Sequence, residues 1–175
     1  MGKVSQNQVM DRRALTVGVL CAVLPDIDVV GFGYGIQYGD LWGHRGLTHS
    51  LAFAALLSAL LVGFCYRRES GSVMAGMGLY FFLCAASHGL LDAITDGGLG
   101  VAFFSPFDTT RYFFGVRPVV VSPIGIQEFF SDQAVRVLAS EAKWIWLPVS
   151  VGLIGVRVLK HLWLCRHAAP RSRAD

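Results

Sequence analysis

The stretch Gly43-His44-Arg45-Gly46-Leu47-Thr48-His49-Ser50 sets two histidines, an arginine, a threonine and a serine directly before the apolar run Leu51–Phe64. Hydrocarbon charges several kcal/mol for each unpaired polar group, so such a cluster belongs at the mouth of a membrane helix. His44 and His49 are five apart, about 140° around a regular helix, and converge only if the helix starts between them. Gly43 and Gly46 allow that bend, with Thr48 as the expected N-cap. A structural or capping role is the plainer alternative for this pair.

Working outward, three more polar islands interrupt apolar sequence: Asp26 with Asp28, then His88, Asp92 and Asp96, then Asp108. His88 and Asp92 are four apart, about 40° around a helix, and Asp96 continues their stripe. His88 would lie roughly 12 Å along the axis from Asp96, sunk into a bundle. An ionisable residue at that depth marks a functional site; a hydrogen bond to neighbouring backbone is the alternative. In Pro25-Asp26-Ile27-Asp28 the proline ends or kinks the first helix. Two carboxylates two apart can reach one cation from an extended turn, or simply solvate a helix end. Asp108, in Ser105-Pro106-Phe107-Asp108, reads as a turn aspartate.

The whole chain has 175 residues, 54% hydrophobic and 15% charged. Soluble domains carry about 25% charged residues, so a membrane protein is indicated. The net charge of +3 is too small to suggest nucleic acid, and no nucleic-acid partner is expected. The four cysteines fall in or beside apolar runs without a CxxC pair, which argues against disulfides or a thiolate metal site; they read as small buried hydrophobes. Arg12-Arg13 before Ala14–Leu24 imitates a signal peptide but lacks a cleavage site, so the run reads as an uncleaved first helix.

Four apolar runs can be drawn: Ala14 to Val30, Leu47–Tyr66, Val73–Thr95 and Trp144–Leu164. A span needs about 20 residues; the second and third meet this cleanly, while the first and fourth depend on polar groups near one end. Lys3, Arg12, Arg13, Arg67, Arg68 and the basic residues from Arg157 onward then share one face, which the positive-inside rule makes cytoplasmic. The expectation is an all-α, multi-pass transmembrane helical bundle of about four spans with both termini cytoplasmic. Between the third and fourth runs, Asp96–Lys143 is rich in phenylalanine and broken by Pro106, Pro118 and Pro123. It reads as an interfacial aromatic segment with a short amphipathic helix at 126–139, or equally as a cap packed on the bundle. Residues 1–165 are expected to form one membrane-embedded domain and 166–175 a basic, disordered tail.

Under this topology the islands share one membrane side and depth. Imidazole and carboxylate ligands without thiolate suit a divalent metal, zinc first, with manganese or iron as alternatives. More ligands are present than one tetrahedral site needs, so a second metal or an outer layer of supporting residues is open. Arg45 or Arg111 is available to an anionic substrate group; Asp96, Asp108 and Arg111 are undecided as members of the site.

These residues carry a resemblance. Leu24-Pro25-Asp26-Ile27-Asp28, His44-Arg45-Gly46-Leu47-Thr48-His49-Ser50, His88-Gly89-Leu90-Leu91-Asp92 with Thr95 and Gly98, and Pro106-Phe107 are similar to the bacterial YdjM-like family. That family is described as LexA-binding, inner-membrane-associated, metal-dependent hydrolases. The resemblance runs from Leu24 to Phe107 and implies a multi-pass protein of the bacterial inner membrane. It also implies that Asp26, Asp28, His44, His49, His88 and Asp92 are the metal positions.

The leading expectation is a membrane-bound metal-dependent hydrolase acting on an ester or phosphoester of a lipid or envelope substrate. A metal-activated water would be the nucleophile, Asp26 or Asp28 the general base, and Arg45 the stabiliser of developing negative charge. The alternatives are a non-enzymatic protein whose His/Asp site binds metal for structure, sensing or transport, and a proton-relay transporter. An open coordination position separates enzyme from staple. The sequence leaves the oligomeric state open.

Overall fold

In the computed structural model the described residues are 12–124 and 132–167. They fall into two compact units divided between Arg117 and Pro118. The chain is an all-helical, multi-pass membrane protein; an isolated antiparallel bridge joins Val101 and Tyr112.

In the first unit, α1 (Arg12–Val23) passes at Pro25 into a 3-10 helix, Leu24–Tyr34. Proline fits there because the first turn of a helix needs no N–H from it. The α-helix therefore ends where Pro25 suggested, but the chain stays helical and Asp26 and Asp28 sit on a 3-10 segment rather than an extended turn. A 3-10 turn, Leu47–His49, leads into α2 (Leu51–Cys65), and α3 (Gly71–Asp92) follows before the segment that ends the unit at Arg117.

Among the described residues three stretches are long and apolar enough to cross a bilayer: Arg12–Tyr34, Gly71–Asp92 and Asp132–His167. The second apolar run corrects the expectation. Only Leu51–Cys65 is α-helical, 15 residues or about 22 Å at 1.5 Å per residue. The reason is local: Ser50, not Thr48, is the N-cap, its hydroxyl accepting from the Phe53 N–H at 3.0 Å. The first and fourth runs gain length from the 3-10 segment and from the helices that precede Trp144.

Ala14, Cys21, Ala54, Val62, Met77, Phe81, Ala85 and Ala86 make the core between α1, α2 and α3. Small residues let the backbones approach where lipid offers no hydrophobic drive, and Met77 and Phe81 fill the middle. Ser58 donates to the Gly78 carbonyl at 2.6 Å, tying α2 to α3. Among the cysteines only Cys21 is buried, while Cys65 and Cys165 are exposed; the reading of all four as buried hydrophobes fails for these two.

The segment after α3 packs as a cap on this unit. Leu51 donates to the Phe103 carbonyl, Ala102 to that of Arg45, and Phe114 to that of Ala93. Phe103 is buried beneath the cap, whereas Phe107 is 90% exposed.

In the second unit, α4 (Asp132–Glu141) continues through a π-helical turn, Ala142–Trp146, into α5 (Leu147–His167). Ser140 accepts from the Val120 N–H at 3.0 Å, and Val137 is buried. The expected amphipathic helix thus exists from Asp132 onward, with 125–131 outside the described residues. Arg166 and His167 are helical; the rest of the expected tail, 168–175, also lies outside the described residues.

Candidate metal centre

Three elements meet at the capped end of the first unit. The 3-10 segment after α1 brings Asp26 and Asp28, the Gly43–Ser50 stretch brings His44, Arg45, Thr48 and His49, and the last turns of α3 bring His88 and Asp92. Space dictates the glycines of the middle element. A Cβ at Gly43 would run into the Gln37 and Tyr38 carbonyls, and one at Gly46 into those of Leu41 and Gly43. Gly89 does the same for α3, where a Cβ would lie 2.9 Å from the His49 carbonyl.

All six predicted ligand residues lie together, in two groups that share His49. In the first, one ligand atom each from Asp26, His49, His88 and Asp92 lies within 4.8 Å of the others. His49 Nε2 is 3.2 Å from Asp92 Oδ2 and 3.5 Å from Asp26 Oδ1. His88 Nε2 is 3.1 Å from Asp26 Oδ1 and 3.7 Å from Asp92 Oδ2. The second group is Asp28, His44 and His49.

The two groups differ in what their atoms lack. Asp28 is saturated: Oδ1 faces His44 Nδ1 at 2.9 Å, while Oδ2 faces His49 Nδ1 at 3.1 Å and accepts from Thr48 Oγ1 at 2.7 Å. The Arg45 N–H also donates to Oδ2 at 3.3 Å. In the first group, His49 Nε2, His88 Nε2 and Asp92 Oδ2 are buried without any hydrogen bond. A buried polar atom left so costs about 1–3 kcal/mol, and three converging on one point fit a divalent cation.

Each of the three is aimed from behind. A carbonyl can only accept, so the 2.7 Å contact of His88 Nδ1 with the Ala22 carbonyl puts the proton on Nδ1 and leaves Nε2 for the cluster. Asp28 does the same for His49. Arg45 donates from Nη2 to Asp92 Oδ1 at 3.0 Å, which turns Oδ2 inward. Metal-ligating histidines and carboxylates generally have such partners.

Arg45 and Arg111, which the sequence offered for an anionic substrate group, both have partners within the protein. Arg45 is 3% exposed with φ +62°, and its Nη1 donates to Thr95 Oγ1 and the Gly97 carbonyl. Arg111 donates to the carbonyls of Tyr38, Asp40, Gly100 and His44, latching the cap to the loop that carries His44. Asp108 is a turn aspartate outside the cluster, accepting from the Thr110 N–H at 2.8 Å. Neither the Ala22 carbonyl behind His88 nor the Tyr38 ring edge-on to His44 at 5.2 Å could be read from sequence.

The electrostatics follow from three carboxylates around one buried imidazole. Asp28 faces Nδ1 of His49, and Asp26 and Asp92 face its Nε2. A cation bound at Nε2 of His49 or His88 would need that nitrogen unprotonated, so metal binding there competes with protons.

The family profile described as YdjM inner membrane protein matches residues 1–164. The chain is also similar to Inner membrane protein YbcI of Escherichia coli (strain K12), 35% identical over 157 residues, which are 90% of this chain and 87% of that one. No solved structure matches. The chain belongs to the YdjM family of inner membrane proteins.

Proposed function

We propose that this protein is a membrane-bound metal-dependent hydrolase acting on an ester-type bond of a lipid or envelope molecule. His49, His88 and Asp92 would hold the ion through the three buried atoms that have no hydrogen bond. Two imidazoles and one carboxylate are a common catalytic ligand set for zinc; manganese and iron take the same donors. A divalent ion held by these residues would supply Lewis acidity and a water whose pKa is lowered towards about 7.

The observation that carries the reading is the contrast in exposure within the first group. The Asp26 side chain is 52% exposed, against 0% for His49 and 17% for His88 and Asp92. A structural site is closed on all sides and a catalytic one keeps an open position; the open side here is that of Asp26. Asp26 is therefore the general base: it accepts a proton from water on the open side and returns it to the leaving group. Asp28 and His44 act behind His49 rather than as ligands. Arg45 holds Asp92 rather than the substrate.

The charge asymmetry of the chain supports a cytoplasmic location for both termini, which would put the cluster near the outer leaflet. The test of the whole reading is metal analysis of the detergent-purified protein, with hydrolysis of acyl- and phospho-lipids measured with and without chelator. One equivalent of metal and chelator-sensitive hydrolysis are expected. Metal-free protein that refuses added zinc, manganese and iron rejects it.

A further inference from the structure

The hydrolase reading leaves the scissile bond open, and the depth and flank of the cluster narrow it. From Ala14, just inside the Arg12-Arg13 pair, to Asp26 the rise is about 20 Å, taking 1.5 Å per α-helical and 2.0 Å per 3-10 residue. Along α3, Val73 to His88 spans about 22 Å and Val73 to Asp92 about 28 Å. A hydrocarbon core is roughly 30 Å thick, so measured from Ala14 and Val73 the cluster occupies the outer third of the core, from Asp26 about 10 Å short of its far edge to Asp92 about 2 Å short of it. The bonds of a bilayer lipid found at that margin are its acyl esters; its phosphoesters lie farther out.

The sequence beside the open side is apolar. Val23, Ile27 and Val30, one to four residues from Asp26, are more than half exposed, and Val19 extends their apolar flank along α1. These side chains flank Asp26 in sequence and give that stretch of the chain an exposed apolar face. The chemistry agrees: Arg45 donates from its Nη atoms to Asp92, Thr95 and the Gly97 carbonyl, its Nε is buried without a partner, and Arg111 is held by loop carbonyls, so Arg45 presents no exposed donor to a phosphate and Arg111 is spent on the loops.

We propose that the site, read as a hydrolase, cleaves the carboxylic ester of a membrane lipid that enters laterally past Val23, Ile27 and Val30. The water oxygen bonds to the acyl carbon and the bond from that carbon to the alcohol oxygen breaks. Asp26 takes one water proton and delivers it to the leaving alcohol oxygen. The acyl chain departs as a fatty acid, whose carboxyl proton goes to solvent.

The test uses the full chain, zinc-loaded, in nanodiscs of phosphatidylethanolamine and phosphatidylglycerol, with products identified by mass spectrometry. Fatty acid and lysolipid are expected, and Asp26→Asn should lower their rate about 10²–10⁴-fold, the range for loss of a general base. Diacylglycerol or a released phosphorylated headgroup would overturn the ester assignment while leaving a metal-dependent hydrolase. No product of either kind from zinc-bound protein would overturn both. Metal-free protein in the same discs, with a lipid bearing a photoactivatable group beside its ester, should be labelled within residues 19–30. Labelling that avoids this segment would overturn lateral entry.

Discussion

Asp28 Oδ2 lies 3.1 Å from Nδ1 of His49, and this contact decides which nitrogen of His49 faces Asp26, His88 and Asp92. The sequence offered Asp28 as a ligand or a base, but its oxygens already face His44, His49, Thr48 and the Arg45 N–H. Asp28→Asn should therefore leave metal stoichiometry unchanged and weaken affinity about 10–100-fold, the usual effect of losing a partner behind a ligand. Thr48→Val should act in the same direction and less strongly. Cobalt substitution provides the check: band positions should survive both changes, and a new coordination spectrum in Asp28→Asn would make Asp28 a ligand after all.

The Arg45–Asp92 pair is buried on the arginine side and 17% exposed on the other. Removing one partner of a fully buried pair costs about 3–5 kcal/mol; the partial exposure of Asp92 puts Arg45→Met towards the lower figure. Thermal unfolding in detergent should show the loss even in chelator, because Arg45 also holds Thr95 and the Gly97 carbonyl. If Arg45→Met melts like wild type but loses hydrolysis, Arg45 touches substrate and its positioning role is wrong.

The ligand set makes a prediction for pH. His49 and His88 can bind a cation only through nitrogens that carry no proton, so protons compete with the metal. Zinc affinity of the detergent-purified protein should weaken as pH is lowered, and His88→Ala should leave no binding to titrate. A zinc affinity independent of pH would remove the imidazoles from the ligand set.

Much of this was legible because membrane chemistry is restrictive. Ionisable residues inside apolar runs are expensive, so Asp26, His88 and Asp92 stood out singly, and the histidine-rich stretch before α2 named the element that had to meet them. Illegible were the parts set by three-dimensional contact. Thr48 looks like a cap, but its hydroxyl donates to Asp28 while Ser50 caps α2. Arg45 looks available to a substrate until α3 and the cap supply Asp92, Thr95 and Gly97 from about fifty residues away. The Ala22 carbonyl, which orients His88, belongs to backbone and leaves no mark in the sequence. The shortened second helix had the same origin, since polar residues drew Leu47–His49 into a separate turn.

Topology can be tested apart from chemistry. Reporter fusions after Arg68 and after Gly115 should report opposite sides, with Arg68 cytoplasmic, because Arg12, Arg13, Arg67 and Arg68 gather at one end of α1 and α2 and the cluster lies towards the other. Both fusions on one side would remove the α3 crossing and with it the depth assigned to His88.

Asp26→Asn against His88→Ala separates enzyme from staple. Asp26 is the one member of its group with a half-exposed side chain, so an amide there should leave folding intact and metal content near wild type while hydrolysis falls about 10²–10⁴-fold. His88 is held from behind by Ala22 and offers Nε2 alone to the cluster, so its removal should abolish metal binding outright. Were the ion a staple, its binding free energy would be folding free energy, and His88→Ala would melt as low as wild type in chelator, with Asp26→Asn melting between the two. Were it catalytic, wild type would melt only slightly lower in chelator than with metal, and both variants would stay near that range while activity disappears. Metal content, melting temperature and turnover measured on the same three preparations decide between them, and a stable, metal-loaded Asp26→Asn with full activity would reject Asp26 as the base.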